Sequence, residues 1–275
     1  MSVEDIPAGL LLCRASRWNQ LEEDWRVFLQ SQDSGAFLAE KEGRAVGTAA
    51  FLRYGSFAWI AMMLVDPEER RAGIGTQLME HVLSAVEDAA CAGLDATPAG
   101  EPLYRRFGFV ADYALVRMKT TIESVRLDLH AGTAHRMDRT DLSDVLQRDH
   151  EVFGADRANL LASLYERAPE CAWIANDSFG LRGYAFGRPG HLYHQLGPVV
   201  AEDSGTARAL VAHACASLDR KLVAIDAPQL DRDWLASLAS LGFVEERPFV
   251  RMFRRGDLHP GLPARQYAIT GPEFA

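Results

Sequence analysis

The sequence predicts an α/β protein made of two copies of one structural unit. Three observations lead to this fold class. Pairs of short apolar strands alternate with amphipathic helices along the whole chain. The order of these elements is the same in each half. Two short segments also recur at identical spacing. The tripeptide GFV is followed by VRM in each half, at Gly108–Val110 and Val116–Met118 and again at Gly242–Val244 and Val250–Met252.

A second match supports the repeat and suggests where it divides. Leu94–Ala96 and Ile225–Ala227 share the aspartate-alanine pair at the end of an apolar run. A chain of 275 residues is long enough for two domains. We therefore expect domains at 1–125 and 126–275, joined near residues 120–132.

In the first half the patterns predict a strand at 10–16, then an amphipathic helix at 17–30. Two strands joined by a turn near Glu42-Gly43 are predicted within 35–55. Residues 57–65, FAWIAMMLV, have no polar face, so this fourth strand should be central and buried on both sides. A helix from Ile74, a strand at 93–98, a helix at 101–108 and a closing strand at 109–120 follow.

The second half repeats the order. Helices are predicted at 141–153 and 157–168, and strands at 171–177, 181–187 and 191–200. A helix at 204–219, a strand at 221–228, a helix at 230–242 and a closing strand at 243–256 complete the copy. The remaining tail is rich in proline and glycine, and we expect Tyr267–Thr270 to add a strand or to fold over an acceptor cleft.

Composition and charge restrict the classes of partner and the cellular location that we expect. The net charge is -9 and the pI is near 5.4, which disfavours a nucleic-acid partner. The longest apolar run, Phe57–Val65, is about half of a membrane span, and the N-terminus does not resemble a signal peptide, so we expect no membrane partner. Four well-separated cysteines without a CxxC pair indicate reduced thiols and a cytoplasmic location. His191 and His194, three apart in a predicted strand, point to opposite faces, and we expect no metal.

The stretch LVDPEERRAGIGTQLMEHVL, residues 64–83, carries the chemistry. A buried strand runs into Arg70-Arg71-Ala72-Gly73-Ile74-Gly75, and a helix follows. Helix N-termini carry unpaired amides and partial positive charge, and glycines let a ligand approach the backbone closely. The pattern therefore predicts an anion cradle. Neither the Walker pattern nor the full GxGxxG fingerprint is present.

Two ordered motifs resemble those of the GNAT superfamily of acyl-CoA-dependent N-acyltransferases. Arg70–Gly75 fits (Q/R)xxGx(G/A) directly after a strand, and Leu103–Phe109 fits LYxxxGF about thirty residues later. The resemblance covers roughly residues 10–118. It implies two GNAT-like domains, each a mixed, mostly antiparallel sheet flanked by helices, with a catalytic first domain and a degenerate second domain.

The resemblance also implies roles for particular residues toward acetyl-CoA as cosubstrate. Backbone groups at Met63, Leu64 and Val65 would pair with the pantetheine arm, and Tyr104 would protonate the leaving thiolate. The pyrophosphate would lie on the amides of Arg71, Ala72, Gly73, Ile74, Gly75 and Thr76, with Arg70 supporting the loop. Thr97 stands where the family often has a cofactor-binding asparagine.

The chain departs from the family pattern because it lacks the residue that often acts as the general base. The predicted fourth strand carries no acid or histidine, so a base must come from elsewhere or the amine must arrive neutral. In the second copy, Leu238 aligns with Tyr104 and Gly-x-Gly is missing, so we expect that copy to complete the acceptor pocket without binding acetyl-CoA. Asp226 could line a pocket, although aspartate before Ala-Pro more often makes a turn.

Two functions remain open on the sequence alone. The first is an N-acetyltransferase acting on a primary amine of a small molecule or peptide, by direct attack in a ternary complex. The alternative is a non-catalytic acyl-CoA or amine sensor. The aromatic residues Trp18, Trp25, Tyr54 and Trp59 are candidates for lining the acceptor pocket, and the oligomeric state is not predicted.

Overall fold

The computed structural model describes residues 1–125, 134–218, 222–255 and 261–275. Its α-helices are α1 (Ile6–Ala15), α2 (Glu22–Gln30), α3 (Ile74–Ala85), α4 (Glu101–Arg106), α5 (Leu142–Phe153), α6 (Ala158–Arg167), α7 (Ser204–Ala216) and α8 (Arg232–Ser240). Its strands are β1 (Gly35–Lys41), β2 (Arg44–Tyr54), β3 (Phe57–Val65), β4 (Cys91–Ala96), β5 (Val110–Thr121), β6 (Ala134–Arg136), β7 (Trp173–Asp177), β8 (Gly180–Arg188), β9 (His194–Ala201), β10 (Leu222–Pro228), β11 (Val244–Arg254) and β12 (Gln266–Ala268).

The described strands form one continuous sheet. Its order is β1-β2-β3-β4-β11-β5-β10-β9-β8-β7-β6, and β12 pairs with β9. Among the described pairs, β3 with β4 and β9 with β10 are parallel, and the others are antiparallel. The predicted fold class, mixed and mostly antiparallel sheets flanked by helices, is confirmed, and the two sheets are fused edge to edge.

The fusion occurs because the two halves exchange their closing strands. β11 of the second half lies between β4 and β5, and β5 of the first half lies between β11 and β10. Residues 126–132 of the predicted junction at 120–132 lie outside the described residues. The domain boundary at 125/126 stays a prediction.

Reciprocal buried ion pairs join the exchanged strands. Arg251 on β11 donates from Nε and Nη2 to both carboxylate oxygens of Asp95 on β4, at 2.8 Å each. Arg117 on β5 binds both oxygens of Asp226 on β10 at 2.7 Å each. The expectation that Asp226 makes a turn is wrong, because its carboxylate is buried within a strand by this pair. A fork-to-fork arginine–carboxylate pair is strong and geometrically specific.

One predicted element is wrong. Residues 10–16 were expected as a strand, but they continue α1, which begins at Ile6 with Pro7 in its first turn. A short apolar run cannot distinguish a strand from a helix. Here Ile6 and Leu12 are buried and Leu11 is 72% exposed, the pattern of a helix with one buried face. The next helix starts only at Glu22, so residues 17–21 form a loop instead of its first turns.

The other predicted elements are found close to their expected positions. FAWIAMMLV is β3, the third strand rather than the fourth, and it lies between β2 and β4 with most of its side chains buried, as expected. Helices α1 and α2 pack with Trp25 and Trp59 on one side of β2 and β3. Helices α3 and α4 pack on the other side. Gly47 allows α3 to approach closely, since a Cβ there would lie 3.0 Å from Leu78.

The tail runs through the interior of the molecule. Its strand β12 confirms the predicted strand. Beyond it, the Pro272 carbonyl accepts a 2.9 Å hydrogen bond from the Trp59 indole. The buried ring of Phe274 stacks on Phe28 at 5.6 Å between centroids. The tail is therefore a core element of both halves. In the described ranges, no helix is long and apolar enough to span a membrane.

Candidate active site

A wedge-shaped gap between two parallel strands forms the centre of the candidate site. β3 and β4 pair only through Phe57–Trp59 and Cys91–Gly93, and beyond these residues they separate. A cavity of about 780 Å³ opens there. Ile60–Val65 line one wall, and Leu94, Asp95 and Thr97 line the other. Because the two strands no longer pair, an extended ligand can hydrogen-bond to the backbone of β3 as an added strand.

A β-bulge shapes the wall on β3. Thr48 pairs with Leu64 and Ala50 with Ala61, so β3 carries one extra residue opposite β2. Met62 takes up the irregularity at φ 53°, and its carbonyl oxygen accepts a 2.8 Å hydrogen bond from the Thr48 hydroxyl. Bulges redirect the backbone next to them. This one sets the orientation of Met63 and Leu64 toward the cavity.

The loop from Arg70 to Gly75 ends at the N-terminus of α3. Arg71 at φ 67° and Gly73 at φ 85° are both left-handed, so the loop turns sharply on itself before the helix. A Cβ on Gly73 would meet nothing within 4 Å, so the backbone faces open space there. The amides of Ile74 and Gly75, in the first turn of α3, have no partner within the helix. Gly73, Ile74 and Gly75 line the cavity, which gives a backbone cradle for an anion.

The charges of this loop leave it locally positive. Arg44 lies 2.5 Å from Asp66 and 2.9 Å from Glu69, and Lys41 lies 2.9 Å from Glu69. Arg70 and Arg71 are exposed and form no ion pair with any described residue. Asp66 and Glu69 are thus neutralised from the β1–β2 hairpin. The two arginines remain available to a phosphate group.

Tyr104 and Thr97 stand on the other side of the gap. Tyr104 lies on α4, packs edge-on to Phe109 and reaches the cavity wall. Burial raises the pKa of Tyr104 to about 12, so its hydroxyl keeps its proton. The Thr97 hydroxyl accepts a 3.2 Å hydrogen bond from the Gly100 amide and so also fixes the start of α4.

The structure brings the predicted site residues together, with one exception. Met63, Leu64, Val65 and Tyr104 line the cavity, as do Thr97 and the loop residues except Ala72, which is exposed. Of the aromatic candidates only Trp18 lines it. Trp25, Tyr54 and Trp59 belong to the core. No group of residues able to hold a metal ion occurs in the parts of the chain described.

The second half was expected to complete the pocket, but the residues that form this wall were not predicted. Arg117, Arg247 and Phe249 enter the cavity from the exchanged strands, and Pro272 and Glu273 enter from the tail. The loop after α1 forms the opposite side with Asn19 and Gln20. Among these residues, only Arg117 could have been singled out from the sequence, because it occupies the same position in the first copy of the repeat as Arg251 does in the second.

Comparison with known proteins identifies the family. A GNAT acetyltransferase family model matches residues 10–109, and a second GNAT acetyltransferase domain model matches residues 145–268. The protein belongs to the GNAT superfamily. Because the two models match successive parts of the chain, it is a tandem GNAT protein.

Its relatives are acyltransferases by name. The holothin acyltransferase of Pseudoalteromonas sp. (strain SANK 73390) is 26% identical over 242 residues, 87% of this chain and 81% of that protein. The uncharacterized N-acetyltransferase YitH of Bacillus subtilis (strain 168) is 26% identical over 246 residues, 87% of this chain and 85% of that protein.

Solved structures agree on the fold of the tandem GNAT protein. A candidate acetyltransferase from Pyrococcus horikoshii superposes with a TM-score of 0.82 at 22% identity, covering 100% of this chain and 94% of the other. A tandem GNAT protein of the clavulanic acid biosynthesis pathway gives a TM-score of 0.62 at 16% identity, covering 94% and 98%.

The second GNAT copy has its own gap, and the chain itself fills it. β9 and β10 pair over only three residues, as β3 and β4 do. β12 lies against β9 in the space beyond, and the Ile269 amide donates to the Asp226 carbonyl at 3.0 Å. A Cβ on Gly197 would lie 1.9 Å from the Ile269 carbonyl oxygen, so the two backbones are in contact. The tail thus occupies the place that a pantetheine arm would need.

The anion cradle is also missing from this copy. Asp203 caps the N-terminus of α7, and its carboxylate accepts a 2.8 Å hydrogen bond from the Thr206 amide. A carboxylate at a helix N-terminus repels a second anion there. Leu238, opposite Tyr104 in the repeat, is fully buried in the core. These features support the prediction that the second copy does not bind acetyl-CoA.

Proposed function

We propose that this protein is an N-acetyltransferase that transfers the acetyl group of acetyl-CoA to a primary amine of a small molecule or peptide. One observation carries the proposal. The strand gap, the glycine loop of α3 and Tyr104 open into a single cavity, and the second half closes that cavity opposite them. A site that kept only ligand binding would not need a phenol hydroxyl in this position to stabilise a leaving sulfur, so the enzyme is favoured over the sensor.

The residues present fit acetyl-CoA as cosubstrate. Backbone groups of Met63, Leu64 and Val65 bind the pantetheine arm along the open side of β3. Amides from Arg71 to Thr76 hold the pyrophosphate, and Arg70 and Arg71 add positive charge. The thioester that this brings to the bulge is the electrophile. A backbone amide near Val65 stabilises the oxyanion that forms on attack.

Tyr104 donates to the leaving sulfur. Burial raises its pKa to about 12, while a thiol has an ordinary pKa of about 8.5. Complete proton transfer from the phenol to a thiolate is therefore unfavourable by about 5 kcal/mol. A hydrogen bond that strengthens as charge develops on sulfur is the simpler role, and it leaves the final proton to come from the attacking amine.

The amine attacks directly in a ternary complex. Three carboxylates line the described cavity, and each is already ion-paired: Glu69 with Lys41 and Arg44, Asp95 with Arg251, and Glu273 with Arg188. These pairings disfavour each of the three as a general base. The amine is therefore expected to bind in its neutral form, and the one proton that it loses on attack passes through a water molecule to the leaving sulfur.

We also propose a cytoplasmic location. The four cysteines are buried thiols, and burial raises the pKa of the Cys13 thiol to about 12. Such thiols are suited to a reducing compartment. The acidic charge balance supports a small-molecule or peptide acceptor over a nucleic acid.

Binding of acetyl-CoA tests the proposal with a matched pair of variants. Gly73→Ala adds a Cβ at a left-handed residue of the cradle, and Gly55→Ala does the same at φ 60° in the β2–β3 turn, far from the cavity. Both variants carry similar backbone strain. Calorimetry should show acetyl-CoA binding at least tenfold weaker in Gly73→Ala and unchanged in Gly55→Ala. Equal affinities in both variants and the unmodified protein would remove the cradle from the proposal.

A further inference from the structure

Two residues that line the cavity each carry a buried polar side-chain atom with no partner among the described residues. They are the Nε of Arg247 and the Oε1 of Gln20. Buried polar groups nearly always find a hydrogen-bond partner, so each such atom needs an explanation. One is a donor on β11 of the second half, and the other is an acceptor on the loop after α1. Both residues line the same cavity.

Arg247 differs from every other charged group that lines the acceptor side of this cavity. Arg117 is neutralised by Asp226, and Glu273 is neutralised by Arg188. Arg247 makes no ion pair within the described part of the chain, and its neighbour Glu246 is bound by Lys119. The guanidinium packs 4.8 Å from the Phe249 ring, so it is held in place.

The position of Arg247 makes its charge unfavourable in the protein alone. It lies directly opposite Arg117 in the register of β11 and β5, and like charges in that arrangement repel. Burial lowers the pKa of Arg247, and the neighbouring Arg117 lowers it further. An arginine still keeps its proton under these conditions. A bound anion would therefore relieve repulsion as well as satisfy Nε.

Gln20 lines the same cavity, and its side-chain oxygen has no partner among the described residues. The residue is 7% exposed, and its backbone carbonyl oxygen accepts a 2.8 Å hydrogen bond from the Arg14 guanidinium. The adjacent Asn19 ties the loop to the second half, accepting from the amides of Leu192 at 2.7 Å and Tyr193 at 3.1 Å. The backbone of this loop is thus held in place, and the Gln20 side-chain oxygen is an unpartnered acceptor beside the cavity.

We propose that the acceptor is an amine that also bears a carboxylate, with the carboxylate on Arg247 and the amine directed by Gln20. A planar guanidinium matches a carboxylate with two parallel hydrogen bonds. A phosphate group usually recruits several donors, and Arg247 is the one unpaired cation on this side of the described cavity. This assignment rests on the proposed acetyl transfer and adds the chemical class of the amine.

The test uses sets of three acceptors that differ only at the carboxylate. Each set contains an amino acid, its carboxamide and the amine left by decarboxylation, and ethanolamine phosphate is added as a different anion. CoA release gives kcat and KM for the unmodified protein and for Arg247→Gln, Arg247→Lys and Gln20→Leu. Arg232→Gln removes an exposed arginine at the start of α8 and serves as the control.

We expect the unmodified protein to prefer the amino acid over its amide by roughly tenfold to hundredfold in kcat/KM. Arg247→Gln should bring that ratio close to one by raising KM for the amino acid, and Arg247→Lys should restore part of it. Gln20→Leu should raise KM for all three members of a set, and Arg232→Gln should change neither value. Equal use of acid and amide, or preference for ethanolamine phosphate, would overturn the proposal.

A binding measurement separates this inference from the proposed function. If no amine is acetylated, calorimetry on the CoA complex still reports whether amino acids bind. Binding that Arg247→Gln weakens at least tenfold supports the carboxylate site while the transferase proposal fails. Absence of amino acid binding, or equal binding to both proteins, refutes the site itself.

Discussion

The reciprocal ion pairs between exchanged strands make a prediction about stability. Asp95→Asn removes the carboxylate that binds both Nε and Nη2 of Arg251 at 2.8 Å. Arg251 is fully buried, and its remaining partners are the Tyr113 hydroxyl at 3.0 Å and the Trp59 ring at 4.7 Å. Removing one partner of a buried pair leaves an uncompensated charge and costs about 3–5 kcal/mol.

The assay is urea denaturation of the full chain, followed by circular dichroism and tryptophan fluorescence. The control is Glu101→Gln, which breaks an i,i+4 ion pair with Arg105 of similar length, 2.6 Å, on the exposed face of α4. Exposed helix pairs contribute about 0.3–0.5 kcal/mol. The free energy of unfolding should therefore fall several-fold more for Asp95→Asn than for Glu101→Gln.

The double variant Asp95→Leu with Arg251→Met completes the test. Replacing both charges by apolar side chains removes the uncompensated guanidinium, so it should recover more than half of the stability lost in Asp95→Asn. The reasoning is refuted if Asp95→Asn costs no more than Glu101→Gln. It is also refuted if the double variant loses as much as the sum of the single changes, because the two residues would then act independently.

Three further outcomes are expected. Tyr104→Phe should lower kcat about tenfold to hundredfold and leave acetyl-CoA affinity unchanged in calorimetry; an equal kcat removes Tyr104 from the mechanism. The hydrogen-bond donor is the protonated phenol of Tyr104, whose pKa is about 12, so its ionisation should not lower kcat between pH 7 and 10. A fall in kcat over this range that Tyr104→Phe abolishes would contradict this expectation. Phe274→Ala should destabilise the protein by about 3–5 kcal/mol in urea denaturation, whereas Phe179→Ala, at a side chain 95% exposed, should cost under about 0.5 kcal/mol, and similar losses would show that the tail is not part of the core.

Local patterns predicted the first wall of the site well. The strand β3 could be recognised because an unbroken apolar run needs burial on both faces. The loop at Arg70–Gly75 could be recognised because its glycines precede an amphipathic helix. The strand predicted at 10–16 was wrong because a short apolar run fits the buried face of α1 equally well. The deciding observation, an exposed Leu11 between the half-buried Leu10 and the buried Leu12, needs three-dimensional information.

The residues of the opposite wall could not be predicted, for a physical reason. The two closing strands carry the same pattern, so either could complete either half, and the sequence contains no signal that they exchange. Arg247 and Glu273 reach the cavity only through that exchange and through the path of the tail. The repeated aspartates, Asp95 and Asp226, were visible, but their arginine partners lie in the opposite copy.

Amine-dependent release of CoA from acetyl-CoA tests the central claim most directly. The purified full chain is incubated with acetyl-CoA and with polyamines, amino acids, aminoglycosides or short peptides, and free thiol is detected over time. The account predicts release well above the amine-free rate for one acceptor class, and loss of most of it in Tyr104→Phe. Folded protein that binds acetyl-CoA but releases no CoA with any amine would contradict the assignment as an acetyltransferase.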